Sequence, residues 1–483
     1  MKRATLKKAL HSYTECRSLL AKDPKAIEEV VKAFLENIEA QQDLNAFVEV
    51  YKEEAQISAQ ALAQQYPAKA KELQGMVVGI KDLFCYGEHH VEAASQILKG
   101  FKSHITATPV ARLQEAGAIL IGRQNCDEFG MGSSNENSIH GWAKNPIDKE
   151  RSPGGSSGGS AAAVRAGMCH VSLGTDTGGS CLQPAAFCGV IGLRPTYARS
   201  SRWGMIAHSS SFDTPGLIFN EVADGAAALK AISGKDEKDN TSSSHPVPDY
   251  PNLCGWDATK KCKIAYFREA LDNPGIQPEV KEATLNLLER LKAAGHEVKA
   301  LDFPMLAYAV PTYYVLTSAE ATANLARYDG VRYGFRAEGK TFEEMITKTR
   351  TLGFGDEVKR RLILGTFALS SNQHNHETIY QRAQKVRLLK RNAMQKILAD
   401  HDYIISPTTP TTAFLSGKTK QNPATAYLAD LYTVTPAIVG MPAISIPNGT
   451  DTKGLPIGAL IMTRPFQEQK LFSLAEYLLN KWQ

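Results

Sequence analysis

Gly154-Gly155-Ser156-Ser157-Gly158-Gly159-Ser160 is followed directly by Ala161-Ala162-Ala163-Val164. The glycines permit backbone conformations and close approaches that other residues disfavour, whereas the alanine-rich half has high helix propensity. A glycine-rich turn that opens a helix presents unpaired N–H groups and the positive end of the helix dipole. Such a turn suits an anion, or a carbonyl oxygen that becomes one during a reaction.

This turn has three interpretations: a flexible connection, a phosphate loop and a serine-centred catalytic turn. The phosphate loop is disfavoured because no Gly-Lys-Ser/Thr follows the glycines. The catalytic turn gains support from a second Gly-Gly-Ser, at Gly178-Gly179-Ser180, which follows the apolar run 169–174. Two such loops around one helix–strand unit favour a functional turn over a flexible connection.

Apolar runs and helix-spaced segments alternate around these two turns and predict an α/β fold. Helices are predicted from Asp23-Pro24, with Asp23 as N-cap, and over 55–64, 109–116 and 280–294. Strands are predicted over 76–80, 118–122, 169–174, 188–193, 297–301, 403–407, 443–447 and 457–461. We divide the chain into an N-terminal helical segment, 1–65, packed on a domain spanning 66–483. That domain includes an exposed polar loop near 235–261 and a helical part near 305–400.

Composition excludes several classes of protein. The 483 residues are 43% hydrophobic with a net charge of +5, which is typical of a globular protein and does not demand a nucleic-acid partner. The eight cysteines form no CxxC pair, so we expect reduced thiols and no metal site. The basic N-terminus lacks the apolar core of a secretory signal, and no run of 18 apolar residues predicts a membrane span.

A catalytic serine needs a base, and two residues are candidates. His170 lies inside a predicted strand, where a packed structural histidine is the simpler interpretation. Lys81 ends the apolar run 76–80 and is followed by Asp82. A lysine at a strand end is commonly a surface residue, but a buried lysine with a lowered pKa can act as a base.

Three motifs together resemble the amidase signature family: Gly79-Ile80-Lys81-Asp82, the Gly154–Val164 stretch, and the run from Gly174 to Gly189. The resemblance implies the amidase signature fold, a large mixed β-sheet covered by helices on both faces. It implies a Ser–Ser–Lys triad in which Ser180 is the nucleophile, Ser156 the bridging serine after a cis peptide bond, and Lys81 the base. The implied oxyanion hole consists of backbone N–H groups around Thr177, Gly178, Gly179 and Ser180.

Further motifs, among them residues 127–134, 328–334 and 406–410, resemble the branch of this family that serves tRNA-dependent amidation. The branch implies glutamine as substrate, with Arg361 (or its neighbour Arg360) for the α-carboxylate and Asp430 for the α-ammonium. Tyr313 is expected to line the same pocket. It also implies two partners, the larger B and the small C subunits, with tRNA reached through the partner. We expect no cofactor in this chain, ATP and Mg on the partner subunit, and a cytoplasmic location or, alternatively, the mitochondrial matrix.

Two positions depart from the family's pattern. Leu182 stands where the family commonly has arginine, and Ala437 where the branch often has asparagine. Because the three triad positions are intact, we expect an active enzyme. Two alternatives stay open: a stand-alone amidase acting on other amides, and a non-catalytic assembly subunit.

Overall fold

The computed structural model describes residues 3–65, 71–257, 259–370, 377–418 and 427–482. The described helices are α1 (Arg3–His11), α2 (Tyr13–Leu20), α3 (Ala26–Ala40), α4 (Lys52–Gln65), α5 (Thr108–Glu115), α6 (Gly158–Arg165), α7 (Leu182–Cys188), α8 (Val222–Ile232), α9 (Tyr250–Leu253), α10 (Arg268–Leu271), α11 (Pro278–Ala293), α12 (Ala309–Leu325), α13 (Phe342–Gly353), α14 (Asp356–Leu369), α15 (Ile379–Asp400), α16 (Val434–Val439) and α17 (Glu468–Trp482). The strands are β1 (Phe47–Val50), β2 (Val77–Lys81), β3 (Ile119–Gln124), β4 (Val171–Asp176), β5 (Ile191–Arg194), β6 (Thr214–Phe219), β7 (Lys263–Phe267), β8 (Glu297–Leu301), β9 (Tyr403–Pro407), β10 (Ala443–Thr450) and β11 (Pro456–Met462).

The strands form one 11-stranded sheet in the order β1-β3-β2-β4-β6-β5-β10-β11-β9-β7-β8. Strand β2 is parallel to both its neighbours, β3 and β4. Strands β4, β6, β5, β10, β11 and β9 then pair antiparallel in succession, and β7 is parallel to β8 and β9. The sheet is therefore mixed, as predicted.

Helices cover both faces of the sheet. Successive side chains of a strand point to opposite faces, so neighbouring residues of one strand pack against different helices. In β2, Val78 and Ile80 belong to a core cluster that contains Leu471 and Phe472 of α17. Val77, one position away, belongs to a second cluster formed with α3 and α6. All five residues of β2 are buried, which is the pattern of a strand covered on both sides.

Several predicted boundaries were close, and others were wrong. Strands β8 and β9 coincide with the predicted 297–301 and 403–407. Helix α3 begins at Ala26 with Lys25 as N-cap, rather than at Asp23-Pro24. The Asp23 carboxylate accepts the N–H of Lys25 at 3.1 Å, which is the contact expected of an N-cap side chain, although the regular helix begins three residues later.

Strands β1, β6 and β7 were missed. Strand β1 has only four residues, and it pairs antiparallel with β3, so the N-terminal segment contributes a strand as well as helices. Strand β6 contains Pro215 and Gly216, two residues that disfavour strand assignment. The predicted polar loop near 235–261 contains the short helix α9, and the predicted helical part contains α12 to α15.

The carboxyl ends of β2 and β4 lie side by side and end in Lys81 and Asp176. Ligand sites of open α/β sheets form at such ends. Within the described ranges, no helix combines the length and apolar character needed to cross a bilayer.

Candidate active site

Lys81, the last residue of β2, is fully buried. Its Nζ donates to three hydroxyl oxygens: Ser156 Oγ at 2.7 Å, Ser157 Oγ at 2.9 Å and Thr175 Oγ1 at 2.9 Å. Lys81 is thus not a surface residue, and burial lowers its pKa below the ordinary value for lysine. A lysine in this setting can accept a proton through the hydroxyl that it contacts.

Ser156 lies in the turn that leads into α6, and the Gly155–Ser156 peptide bond is cis. The Gly155 N–H donates to Gln183 Oε1 at 2.9 Å, and Gln183 Nε2 donates to the Ser133 carbonyl at 2.9 Å. Gln183 therefore ties the Ser156 turn both to α7 and to the loop that carries Ser133.

Ser180 lies between the end of β4 and the start of α7. Asp176 shapes this turn, because its two carboxylate oxygens accept the N–H groups of Gly179 at 2.9 Å and Cys181 at 2.8 Å. Gly179 has φ +114°, a conformation that favours glycine. The buried Arg194 donates to Asp176 Oδ1 at 2.8 Å and to the Asp176 carbonyl at 2.6 Å. The turn is thus held by a buried ion pair.

The two glycine–serine turns meet, since the Ser157 N–H donates to the Ser180 carbonyl at 3.2 Å. Ser180 is 8% exposed, and its hydroxyl makes no hydrogen bond to any group in the described part of the chain. The structure therefore brings Lys81 and Ser156 into direct contact and places Ser180 in the adjoining turn.

The backbone donors near Ser180 divide into two sets. The Gly179 N–H is already bonded to Asp176, so it is not free to bind an oxyanion in this conformation. The N–H groups of Thr177, Gly178 and Ser180 have no acceptor among the described residues. The side chain of Thr177 donates to Asp213 Oδ1 at 2.8 Å, which fixes the start of the turn.

A cavity of about 530 Å³ is lined by the N-terminal half of α14 and the loop 132–139, and its Ser133 is the residue whose carbonyl accepts Gln183 Nε2. Arg361 lines it and is 3% exposed, whereas the Arg360 side chain is 49% exposed. Arg361 Nε donates to Glu357 Oε1 at 2.9 Å, and the guanidinium stacks on Tyr314 at 4.8 Å. Arg361, rather than Arg360, is therefore the buried cation of the cavity.

Asp430 and Arg361 both contact Tyr314. The Asp430 carboxyl accepts hydrogen bonds from Ser133 Oγ at 2.6 Å and from the Tyr314 hydroxyl at 3.1 Å. Burial raises the pKa of Asp430 to about 7. The predicted cation and carboxyl are thus brought together around one tyrosine.

Tyr313 packs on the turn 177–180 rather than lining this cavity. A Cβ placed on Gly178 would lie 2.4 Å from Tyr313 Cζ. Thr433 joins this turn to the segment that carries Asp430, because its hydroxyl lies 2.9 Å from the Gly178 carbonyl and 3.2 Å from the Asp430 carbonyl.

Leu182, two residues after Ser180, is packed among apolar side chains. It is fully buried in an apolar cluster that includes Phe212 and Tyr313. Although Leu182 replaces the arginine that is common in the family, Arg194 supplies a cation at the turn that carries Ser180. Ala437 is buried in α16.

His170 is a packed histidine. Its Nδ1 accepts the Val77 N–H at 2.9 Å, its Nε2 lies 2.7 Å from the Ala9 carbonyl, and burial lowers its pKa to about 4. All eight cysteines are unpaired. Within the described ranges, no three His, Cys, Asp or Glu side chains are placed to hold a metal ion.

Sequence reasoning missed Tyr314, Glu357, Gln183, Arg194 and Thr433. Glu357 had a detectable signal, since it precedes Arg361 by one helical turn. Arg194 and Thr433 act across long stretches of chain, and no local pattern indicates them.

The sheet topology, the buried lysine and the two glycine–serine turns define an amidase, and the chain belongs to the amidase family, whose model (Amidase) matches residues 29–472. The chain is 48% identical over 405 residues to the A subunit of glutamyl-tRNA(Gln) amidotransferase from Prochlorococcus marinus (strain MIT 9312), covering 83% of this chain and 84% of the relative. It is 47% identical over 443 residues to the protein of the same name from Acidobacterium capsulatum, covering 90% and 91%. The crystal structure of the corresponding glutamyl-tRNA(Gln) amidotransferase protein from Thermotoga maritima matches with a TM-score of 0.79 and 34% identity, covering 97% of this chain and 94% of that one.

Proposed function

We propose that this chain is the glutaminase subunit of a tRNA-dependent amidotransferase. It hydrolyses glutamine through an acyl-enzyme on Ser180 and supplies ammonia to a partner subunit that converts Glu-tRNA(Gln), or Asp-tRNA(Asn), to the amide. The observation that carries the proposal is the contact of the buried Lys81 with Ser156, together with the placement of Arg361 and Asp430 around Tyr314, where Arg361 lines the cavity. The names of the relatives point to the same activity.

In the first half of the reaction, the Ser180 hydroxyl attacks the side-chain amide carbon of glutamine. Its proton passes to Ser156, whose own proton passes to neutral Lys81. The oxyanion is bound by the free N–H groups of Thr177, Gly178 and Ser180, each worth about 3 kcal/mol in such a site. The carbon–nitrogen bond then breaks, and ammonia leaves with the proton returned from Lys81 through Ser156.

In the second half, water attacks the Ser180 ester and loses its proton along the same path. The products are glutamate and the free serine.

Arg361 holds the α-carboxylate of glutamine through its guanidinium fork, and Asp430 holds the α-ammonium. Binding of both groups selects glutamine over simple amides.

The partner subunits complete the reaction. ATP and Mg bind the larger B subunit, which activates the tRNA-linked carboxylate, and a small C subunit completes the complex. The chain itself reaches tRNA only through that partner. The complex works in the cytoplasm, or in the mitochondrial matrix if the basic N-terminus directs it there.

The test is glutamine hydrolysis by the chain alone and co-expressed with the B and C subunits of its source organism, with ATP and misacylated tRNA. We expect glutamate release to rise in the complex and amidated tRNA to form. Rapid hydrolysis of aryl or fatty amides by the isolated chain, with glutamine ignored, would support the stand-alone amidase instead. Failure of a fluorophosphonate to label Ser180 would support the non-catalytic assembly subunit.

A further inference from the structure

Glu128 is a buried carboxyl group with no part in the triad or in the expected glutamine contacts. It is 4% exposed, follows Asp127 in the loop after β3, and lines the cavity that contains Arg361. Carboxylates are rarely buried without partners, so its contacts indicate its role.

The partners of Glu128 come from two distant segments. The Ser95 hydroxyl donates to Glu128 Oε1. The Gly355 N–H donates to both carboxylate oxygens, at 2.9 Å and 3.1 Å, across 227 positions of sequence. Glu128 thus joins the loop around Ser95 to the segment that precedes α14.

Gly355 is the N-cap of α14 and has no side chain with which to cap the helix. Helix N-termini leave several N–H groups without acceptors, and a negative charge there is stabilising. Glu128 supplies the missing acceptor from elsewhere in the chain. A Cβ on Gly355 would lie 2.4 Å from Glu128 Oε2, so glycine at this position is what lets the carboxylate approach.

Helix α14, which Glu128 caps, supplies charged side chains to the cavity lining. Glu357, Arg360 and Arg361 lie in its first two turns and line the cavity. Glu357 in turn accepts a hydrogen bond from Arg361 Nε at 2.9 Å. A shift of the helix start therefore moves the guanidinium relative to Ser180.

We propose that Glu128 is a positioning residue for glutamine recognition: it caps α14 and so fixes Arg361 where the α-carboxylate binds. This inference rests on the proposed function for its substrate. It predicts that loss of the contact weakens glutamine binding while the triad keeps its chemistry.

The experiment compares four single variants, and the double variant Glu128→Gln/Gly355→Ala, in the complex with the partner subunits. Glu128→Gln removes the carboxylate and one of the two oxygens that accept the Gly355 N–H, and Gly355→Ala displaces the carboxylate without removing it. Glu343→Gln, exposed on the first turn of α13, and Gly255→Ala, which has no atom within 4 Å of its added Cβ, are the matched controls. Glutamine KM and kcat are measured, together with hydrogen–deuterium exchange of peptides covering Gly355 and the first turn of α14.

We expect Glu128→Gln and Gly355→Ala each to raise the glutamine KM at least about fivefold, with kcat changed less than about twofold. Hydrogen–deuterium exchange around Gly355 should be faster in both variants. The KM of the double variant should be no higher than about that of the worse single variant, because both changes weaken the same contact. The controls should match the unmodified protein in KM and exchange.

Faster exchange with an unchanged KM would overturn the inference, since the cap would then be structural only. Equal losses in KM and kcat would overturn it too. If the unmodified complex fails to hydrolyse glutamine, the proposed function fails by itself, and the exchange comparison still tests whether Glu128 caps α14.

Discussion

Replacement of Arg361 by alanine tests the glutamine pocket most directly. The guanidinium is 3% exposed, stacks on Tyr314 and is oriented by Glu357. A charge-assisted hydrogen bond at a site removed from water contributes about 1.5–3 kcal/mol. Since about 1.4 kcal/mol is a factor of ten, the glutamine KM should rise about 10- to 150-fold.

The matched comparison is Arg360→Ala on the same helix. Its side chain is 49% exposed and is paired with Glu357, so its loss should change KM less than about threefold because solvent screens exposed pairs. Arg361→Lys keeps the charge but loses the fork, and its KM should lie between those of the unmodified protein and Arg361→Ala.

The assay measures initial rates with glutamine and with a small uncharged activated ester. The ester uses Ser180, Ser156 and Lys81 but makes no α-carbon contacts, so Arg361→Ala should leave its kcat/KM within about threefold. Equal losses on the two substrates would refute the reasoning and assign Arg361 to the fold. A larger effect from Arg360→Ala than from Arg361→Ala would move the carboxylate contact to Arg360.

Four further results are expected. Ser180→Ala should abolish acyl-enzyme formation, observed as loss of the mass increase after fluorophosphonate treatment; labelling at another residue would reject Ser180 as nucleophile. Lys81→Ala should lower kcat by at least about 100-fold, and near-normal glutamine turnover would reject it as the base. Because burial lowers the pKa of Lys81 and catalysis needs its neutral form, kcat should rise with pH and level off below 10.5, the ordinary pKa of lysine; a rate that still climbs at that pH would contradict this. Asp224 accepts the N–H groups of Tyr13 and Thr14 at 2.8 Å and 3.2 Å and so caps α2; Asp224→Ala should lower the free energy of unfolding by about 1–2 kcal/mol, and an unchanged denaturant midpoint would exclude that role.

The triad positions were assigned from the family resemblance, which rests there on short contiguous motifs beside strand ends. Lys81 closes an apolar run, and Ser156 and Ser180 each follow glycines. Arg361 and Asp430 came only from the family resemblance, since a single charged residue on a helix or loop is usually solvated. Their burial depends on tertiary packing around Tyr314, which no local pattern encodes.

Contacts between distant segments account for most of what sequence reasoning missed. Arg194 lies on β5 and holds the turn after β4, and Glu128 caps a helix 227 positions away. Hydrophobic periodicity and secondary-structure propensity predict contacts only between residues about one helical turn or one strand pair apart. Strand β6 was missed for a local reason, since Pro215-Gly216 disfavours a strand in sequence while the pairing with β4 and β5 supplies it in the structure.

Catalytic activity also depends on the register in which β2 pairs with β4. In the observed register Gly79 lies opposite Ser172 and Ile80 opposite Leu173. A slip of one residue would turn Lys81 to the other face of the sheet and away from Ser156. A chain folded in this shifted register would retain much of its secondary structure but would not hydrolyse esters. Specific activity after refolding therefore reports the fraction of molecules in the correct register. Circular dichroism does not report this fraction, because it measures secondary-structure content.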